Sequence, residues 1–171
     1  MTTNAAFVIG TRHACVAQPC QDYARAGENW VAVSDGCSQG GNTDLGARAW
    51  VLAAQRVVRH DGLTAITNPL EFMNRVLEEG RALTDELPFD DCFATIGVGA
   101  FVDDHFHAFL QGDGCIAVAL ANGGIEYWDI ESPKNAPLYP QYLLQPELIK
   151  AWDAMVEGAC ARAKRFQYDA D

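Results

Sequence analysis

The sequence has no uninterrupted apolar run of about 18 residues, the length an α-helix needs to cross a bilayer. Its opening residues, Met1-Thr2-Thr3-Asn4, lack the basic start and long apolar stretch of a secretory leader. No membrane partner is therefore expected, and a cytoplasmic location is. Basic residues are scarce: 12 Lys and Arg stand against 23 Asp and Glu, for a net charge of -11. Binding a phosphate backbone needs clustered cations, so no nucleic-acid partner is expected either. No C-x-x-C pair occurs among Cys15, Cys20, Cys37, Cys92, Cys115 and Cys160. These cysteines read as buried thiols of a reducing compartment, not as zinc ligands or disulfides. Internal repeats and low-complexity tracts are absent too.

What is present fits a globular chain. Its 171 residues, 49% hydrophobic and 20% charged, suffice for one domain with its own core. The stretch that stands out begins at Cys20-Gln21-Asp22-Tyr23 and continues through Val31-Ala32-Val33-Ser34-Asp35-Gly36 to the turn Gln39-Gly40-Gly41. It joins an apolar strand, an acid at the strand's end, a glycine after it and a second acid, Asp22, thirteen residues earlier. An acid that ends a buried strand is held rigidly. Glycine at the next position lets a backbone carbonyl approach whatever the acid holds. Such a combination is one way to build a site for a hard cation.

In chain order, Ala5 to Ile9 reads as a first strand, and the polar segment from Thr11 to Pro19 as a loop or sheet edge. A turn is expected around Gly27-Glu28-Asn29, then a strand from Trp30 to Ser34. Thr43 or Asp44 can cap a helix whose apolar positions Ala47, Trp50, Val51, Ala54, Val57 and Val58 recur with helical spacing to about His60. Asn68, Pro69 and Glu71 form a capping box for a second helix, with Leu70, Met73, Leu77, Gly80 and Leu83 as its expected buried face and Pro88 as its stop. From Asp91 the period becomes two. Ala94, Ile96, Val98, Ala100 and Val102 line one face of a strand, and Asp103-Asp104 turns into His105 to Leu110. Gly112-Asp113-Gly114 interrupts before a strand from Cys115 to Ala121, and Asn122-Gly123-Gly124 leads into another from Ile125 to Ile130. An antiparallel meander is expected. Four prolines make Ser132 to Pro146 an extended loop, and a last helix carries Leu148, Trp152, Met155, Ala159 and Phe166. Helices packed against an antiparallel sheet or sandwich follow from this order.

These residues, taken together, resemble the metal-dependent protein Ser/Thr phosphatases of type 2C, in their bacterial-like form. The likeness runs through Gln21-Asp22, Ser34-Asp35-Gly36, the Gly40-Gly41 turn into a helix, a second helix, Ala94-Thr95, and Gln111-Gly112-Asp113-Gly114, covering about Phe7 to Ile130. Order and spacing carry it, since S-D-G and G-D-G are common alone. The resemblance implies an α+β fold, an antiparallel β-sandwich flanked by helices in α-β-β-α layers, with a metal centre at one edge. It implies that Asp35 bridges two Mg2+ or Mn2+ ions, that Gly36 lends its carbonyl, and that Asp22 reaches metal directly or through water. Arg12 lies where the family keeps a phosphate-binding arginine, and Asp113 matches an aspartate linked to an additional metal. The partner implied is a phosphoprotein or phosphopeptide substrate, hydrolysed by a water that two divalent ions activate. The family also carries a further S-D-G-type strand and a terminal acidic pair. Neither the motif nor a second apolar strand is found after Ile130, although Asp169 and Asp171 stand where the pair would begin. Residues 1–171 are thus expected to form a single domain of this kind, truncated or lacking segments after about residue 145, or a reduced and inactive relative.

Plainer readings stand beside these. Asp-Gly is commonly a strand-terminating turn, G-D-G an ordinary hairpin, and Asp22 a polar loop residue. His105 and His107 share a strand face without a third ligand nearby, His13 is a loop histidine, and Cys37 is a small packing residue with some redox sensitivity. Trp30, Trp50, Phe72 and Trp152 read as core, and Asp85-Glu86 and Asp90-Asp91 as solvated element ends. The leading functional expectation is the phosphatase. Its rivals are a catalytically inactive binding or regulatory module of the same fold, and an unrelated α+β protein that shares only the Asp-Gly turns.

Overall fold

The computed structural model describes residues 2–168, with the side chain of Arg12 outside that description. Asp169 and Asp171, where a terminal acidic pair was expected to begin, lie outside the described residues. A short helix α1 (Thr11–Cys15) leads to the hairpin β1 (Tyr23–Gly27) and β2 (Trp30–Ser34), which turns through Glu28 and Asn29. Helices α2 (Leu45–Asp61) and α3 (Pro69–Thr84) follow, then the hairpin β3 (Ile96–Val102) and β4 (His105–Gln111). These strands form one antiparallel sheet in the order β1-β2-β3-β4. The second sheet comprises β5 (Gly114–Ala119), β6 (Ile125–Glu131) and β7 (Arg162–Tyr168), again antiparallel. Between β6 and β7 lie α4 (Pro140–Leu143) and α5 (Pro146–Val156). The architecture is α+β, antiparallel sheets with helices, as expected.

The core forms between α2, α3 and one face of the first sheet. The α2 positions chosen by period, Ala47, Trp50, Val51, Ala54, Val57 and Val58, are all buried there. They meet Trp30 and Ala32 of β2 and the alternating set Ile96, Val98, Ala100 and Val102 of β3. On α3 Met73 and Gly80 of the expected face are buried, together with Phe72, Val76 and Thr84, while Leu77 and Leu83 are partly buried against the core and Leu70 is 74% exposed. The helix is turned so that Phe72 packs edge-on against Phe109 of β4. Gly80 is needed because a side chain there would overlap the Trp50 ring. Asn68 caps α3 by accepting from the Glu71 N–H and donating to the Glu71 carboxylate at 3.0 Å. Asn68→Ala is expected to lower stability by about 1 kcal/mol, read by urea denaturation.

Several sequence expectations are corrected. Ala5–Ile9 is not a strand: it has no ladder partner among the described residues, and Phe7, Val8 and Ile9 are exposed. Of the segment expected as a loop or sheet edge, Thr11–Cys15 is helical and the remainder to Pro19 is turn and loop. β1 was not foreseen, because Tyr-Ala-Arg-Ala-Gly has little β-propensity of its own and is a strand only through pairing with β2. The meander breaks at Gly112 and Gly114, at φ 104 and 150, so that β4 and β5 end up in different sheets. The proline-rich segment is not extended throughout. Pro133 opens a tight turn closed by Ala136 N–H on its carbonyl, with Lys134 and Asn135 left-handed, and Pro140 starts α4, as the fixed φ of proline permits at a first helical position. The last helix ends at Val156, with Glu157 and Gly158 left-handed, so Ala159 and Phe166 are not on it. Phe166 belongs to β7, a strand hidden in the sequence by its charges. Those charges pair across the ladder, Lys164 with Glu131 at 2.7 Å and Arg165 with Glu126. Of the cysteines only Cys92 is buried, while Cys15, Cys115 and Cys160 are exposed; all six are free. Trp152 is half-buried.

Candidate functional site

The register of the first sheet places the acids. Tyr23 stands opposite Ser34, so continuing that ladder sets Asp22 opposite Asp35 and Gln21 opposite Gly36. Their carboxyls lie within hydrogen-bonding reach of each other. Thirteen residues of sequence thus collapse to one cross-strand pair. On its other side Asp35 is tied to Thr95, the residue before β3: its carbonyl accepts from Thr95 N–H at 2.9 Å, and its N–H donates to Thr95 Oγ1 at 3.1 Å. Ser34, pointing to the helices, donates to the Thr95 carbonyl. Asp35 therefore lies on the face away from α2 and α3, at the end of the sheet.

Gly36 has two reasons to be glycine. It is buried, and a side chain there would overlap the Gln21 carbonyl. It also forms an antiparallel bridge with Ala94 in which the flanking groups bond, Cys37 N–H to Phe93 O and Thr95 N–H to Asp35 O. In such a pair the carbonyl of Gly36 itself points away from β3, to the side where Gln21 and Asp22 run. The Gly40-Gly41 turn is fixed by Gly41 N–H bonding Asp90 O and by the buried Gln21 amide donating to Gly41 O, both at 2.9 Å. Asp91 packs on Gly41 and is more than a solvated strand end.

Asp113 enters from the turn after β4 and lines the same pocket as Asp35. Asp22, Asp35 and Asp113 converge electrostatically. Asp35 as a residue stays exposed, but loss of water around its carboxyl, the hydrogen bond with Asp22 and the charges of Asp22 and Asp113 together push it up from 3.8 to about 7. Among the described residues, however, no group of three or more His, Cys, Asp or Glu side chains stands at metal-holding distance. His105 and His107 share a face, their rings 6.5 Å apart, without a third ligand among those residues. His13 lies on α1. Arg12 is on α1 too.

The pocket, about 460 Å³, joins Asp35, Gly36, Cys37 and Asp113 to a further wall from the segment after β6. Tyr142 stacks on Phe93 with ring centres 5.1 Å apart, and Tyr139 meets the same ring tilted at 5.6 Å. Burial, the neighbouring Cys37 and the nearby acids push the ionisation of Tyr139 far upward. Lys134, Asn135 and Met155 complete the wall. No local motif marks Lys134, Asn135, Tyr139 or Tyr142, since the prolines around them suggested only loop, and Met155 was expected only as a residue of the last helix. Cys37 thus packs on Tyr139 at the pocket wall.

Elsewhere, burial and the charge of Asp91 push the Cys92 thiol up to about 11, which makes it inert. No described helix is long and apolar enough to cross a membrane. No curated protein and no solved structure matches the chain. The sequence model of a family described as protein phosphatase 2C matches residues 9–136, about three quarters of the chain and every acid of the site. The chain belongs to the protein phosphatase 2C family.

Proposed function

We propose that the protein is a metal-dependent phosphoprotein Ser/Thr phosphatase whose ions are held at the end of the first sheet. The observation that carries this reading is the in-register pair Asp22 and Asp35 beside a pocket of about 460 Å³. Adjacent carboxylates, one of them with its ionisation pushed up, are a donor set that a hard cation relieves, because it neutralises both. Asp22, Asp35 and the Gly36 carbonyl would hold Mg2+ or Mn2+, with Asp113 adding negative charge for a further ion. Bound divalent ions would supply an acidified water and neutralise phosphoryl oxygens. Asp35 orients that site because Thr95 fixes its backbone on both sides. Arg12 would meet the phosphate. A phosphoprotein arriving at a chain of net charge -11 needs those cations, since the bare acids repel it.

A second reading, a catalytically inactive binding module, is favoured by the missing third ligating side chain among the described residues. Melting with added Mn2+ and hydrolysis of p-nitrophenyl phosphate separate the two. A site present only in the folded state must raise the melting temperature as metal is added. Stabilisation with turnover supports the phosphatase; stabilisation without it supports the module. Metal affinity should depend on pH in a defined window. With Asp35 pushed up to about 7, a proton must leave before the metal enters, so apparent Mn2+ affinity is expected to fall about tenfold per unit below pH 7 and to level off above it. A flat profile between pH 5.5 and 8 would remove Asp35 from the metal.

A further inference from the structure

The pocket walls are chemically unlike. Asp35 and Asp113 form one part, Tyr139 and Tyr142 another, and Lys134 is the one cation among the described lining residues. Lys134 shares this pocket with Asp35 and Asp113. Its ammonium is not idle. It binds the Glu157 carboxylate at 2.7 Å and the Met155 carbonyl at 3.2 Å. Both partners belong to the end of α5. The backbone is held in the left-handed region at both ends of this clasp, with φ 52 at Lys134, 54 at Asn135 and 58 at Glu157. Non-glycine residues adopt that region at a cost. The ion pair that results is loose, because Glu157 is 77% and Lys134 47% exposed, and exposed pairs exchange partners with little loss. The carboxylate already on the lysine shows which chemistry it accepts. A pocket of about 460 Å³ also exceeds one phosphoserine side chain and has room for a neighbouring residue.

We propose that Lys134 is a specificity residue: it binds a carboxylate flanking the phosphorylated residue of an acidic phosphopeptide, which displaces Glu157. This rests on the phosphatase reading for the phosphate and on the clasp for the carboxylate. The metal end and the lysine end of the pocket then take the two anionic groups of one ligand, and Tyr139 and Tyr142 take the carbon chain between them.

The test compares two phosphoserine peptides, one with Asp on both sides of the phosphoserine and one with Asn there, in Mn2+. The wild type should show a KM about threefold to fivefold lower for the Asp peptide, with similar kcat, the size expected of an exposed charge pair. Lys134→Gln should erase that ratio, and Lys134→Arg should retain it. Glu157→Gln removes the internal competitor and should enlarge the ratio, a gain that a folding defect does not produce. No preference in the wild type, or an unchanged ratio in Lys134→Gln, overturns the proposal. If the wild type hydrolyses neither peptide nor p-nitrophenyl phosphate, the phosphatase reading falls. Fluorescence anisotropy with the same labelled peptides then judges the lysine by itself, with the same ratios expected and equal binding of both peptides overturning it.

Discussion

Asp35→Asn is expected to abolish stabilisation by Mn2+ and to lower p-nitrophenyl phosphate turnover by at least about a hundredfold, the scale of losing several kcal/mol of charge stabilisation. The same change should make the metal-free protein melt higher at pH 8. Asp35 lies beside Asp22 and Asp113 with its carboxyl raised from 3.8 to about 7, so its charged form is unfavourable in the fold. The sign follows from linkage. A raised carboxyl contributes stability that is fully present below about pH 4 and is lost as pH rises through about 7. Above that window the wild type carries a charge that the fold resists, whereas asparagine carries none and its amide can donate to Asp22. Differential scanning fluorimetry at pH 5 and 8, with and without Mn2+, reads all four corners. A metal-free mutant that melts lower than the wild type at pH 8 would mean that Asp35 is structurally favourable and that the acids do not oppose one another.

Trp50→Ala is expected to cost about 3–5 kcal/mol, the loss typical of a large aromatic removed from a packed core. Trp50 is fully buried in α2, and its ring fills the space left by Gly80 of α3. Its indole N–H donates to the Cys92 carbonyl at 2.9 Å. Alanine would leave a cavity between the two helices and an unpaired carbonyl beside it. Against a total stability of about 5–15 kcal/mol that is a large share. The damage should reach the site, since Cys92 precedes Phe93 and Thr95, which bond the loop around Asp35. Chemical denaturation measures the loss. A change below about 1 kcal/mol would show that the α2–α3 contact contributes little to stability.

The acids Asp22 and Asp35 could be named from the sequence because each sits next to a local signal: an apolar alternation that stops, a glycine, a paired-glycine turn. Their contact could not be. Between them runs β1, whose Tyr-Ala-Arg-Ala-Gly has no strand signature and is ordered by its ladder to β2. Likewise α3 announced its start through Asn68, Pro69 and Glu71, yet not its rotation. Phe72 and Val76 face inward because Phe109 and the sheet offer them a surface, which no periodicity of the helix itself encodes.

Local physics in the sequence determined the caps of α3, the inward face of α2 and β3, the hairpin turns at Asp103-Asp104 and Asn122-Gly123, and the candidacy of Asp35-Gly36. Each of these is decided within a few residues by dihedral preference, side-chain period or a single capping hydrogen bond. Tertiary structure alone decided that Asp22 faces Asp35, that the meander divides into two sheets, that the charged segment Arg162–Tyr168 is a strand, and that Tyr139, Tyr142 and Lys134 wall the pocket. The physical reason is common to them all: strand register and pocket lining depend on partners distant in the chain, and a residue's own neighbours carry no record of what the fold will set opposite it.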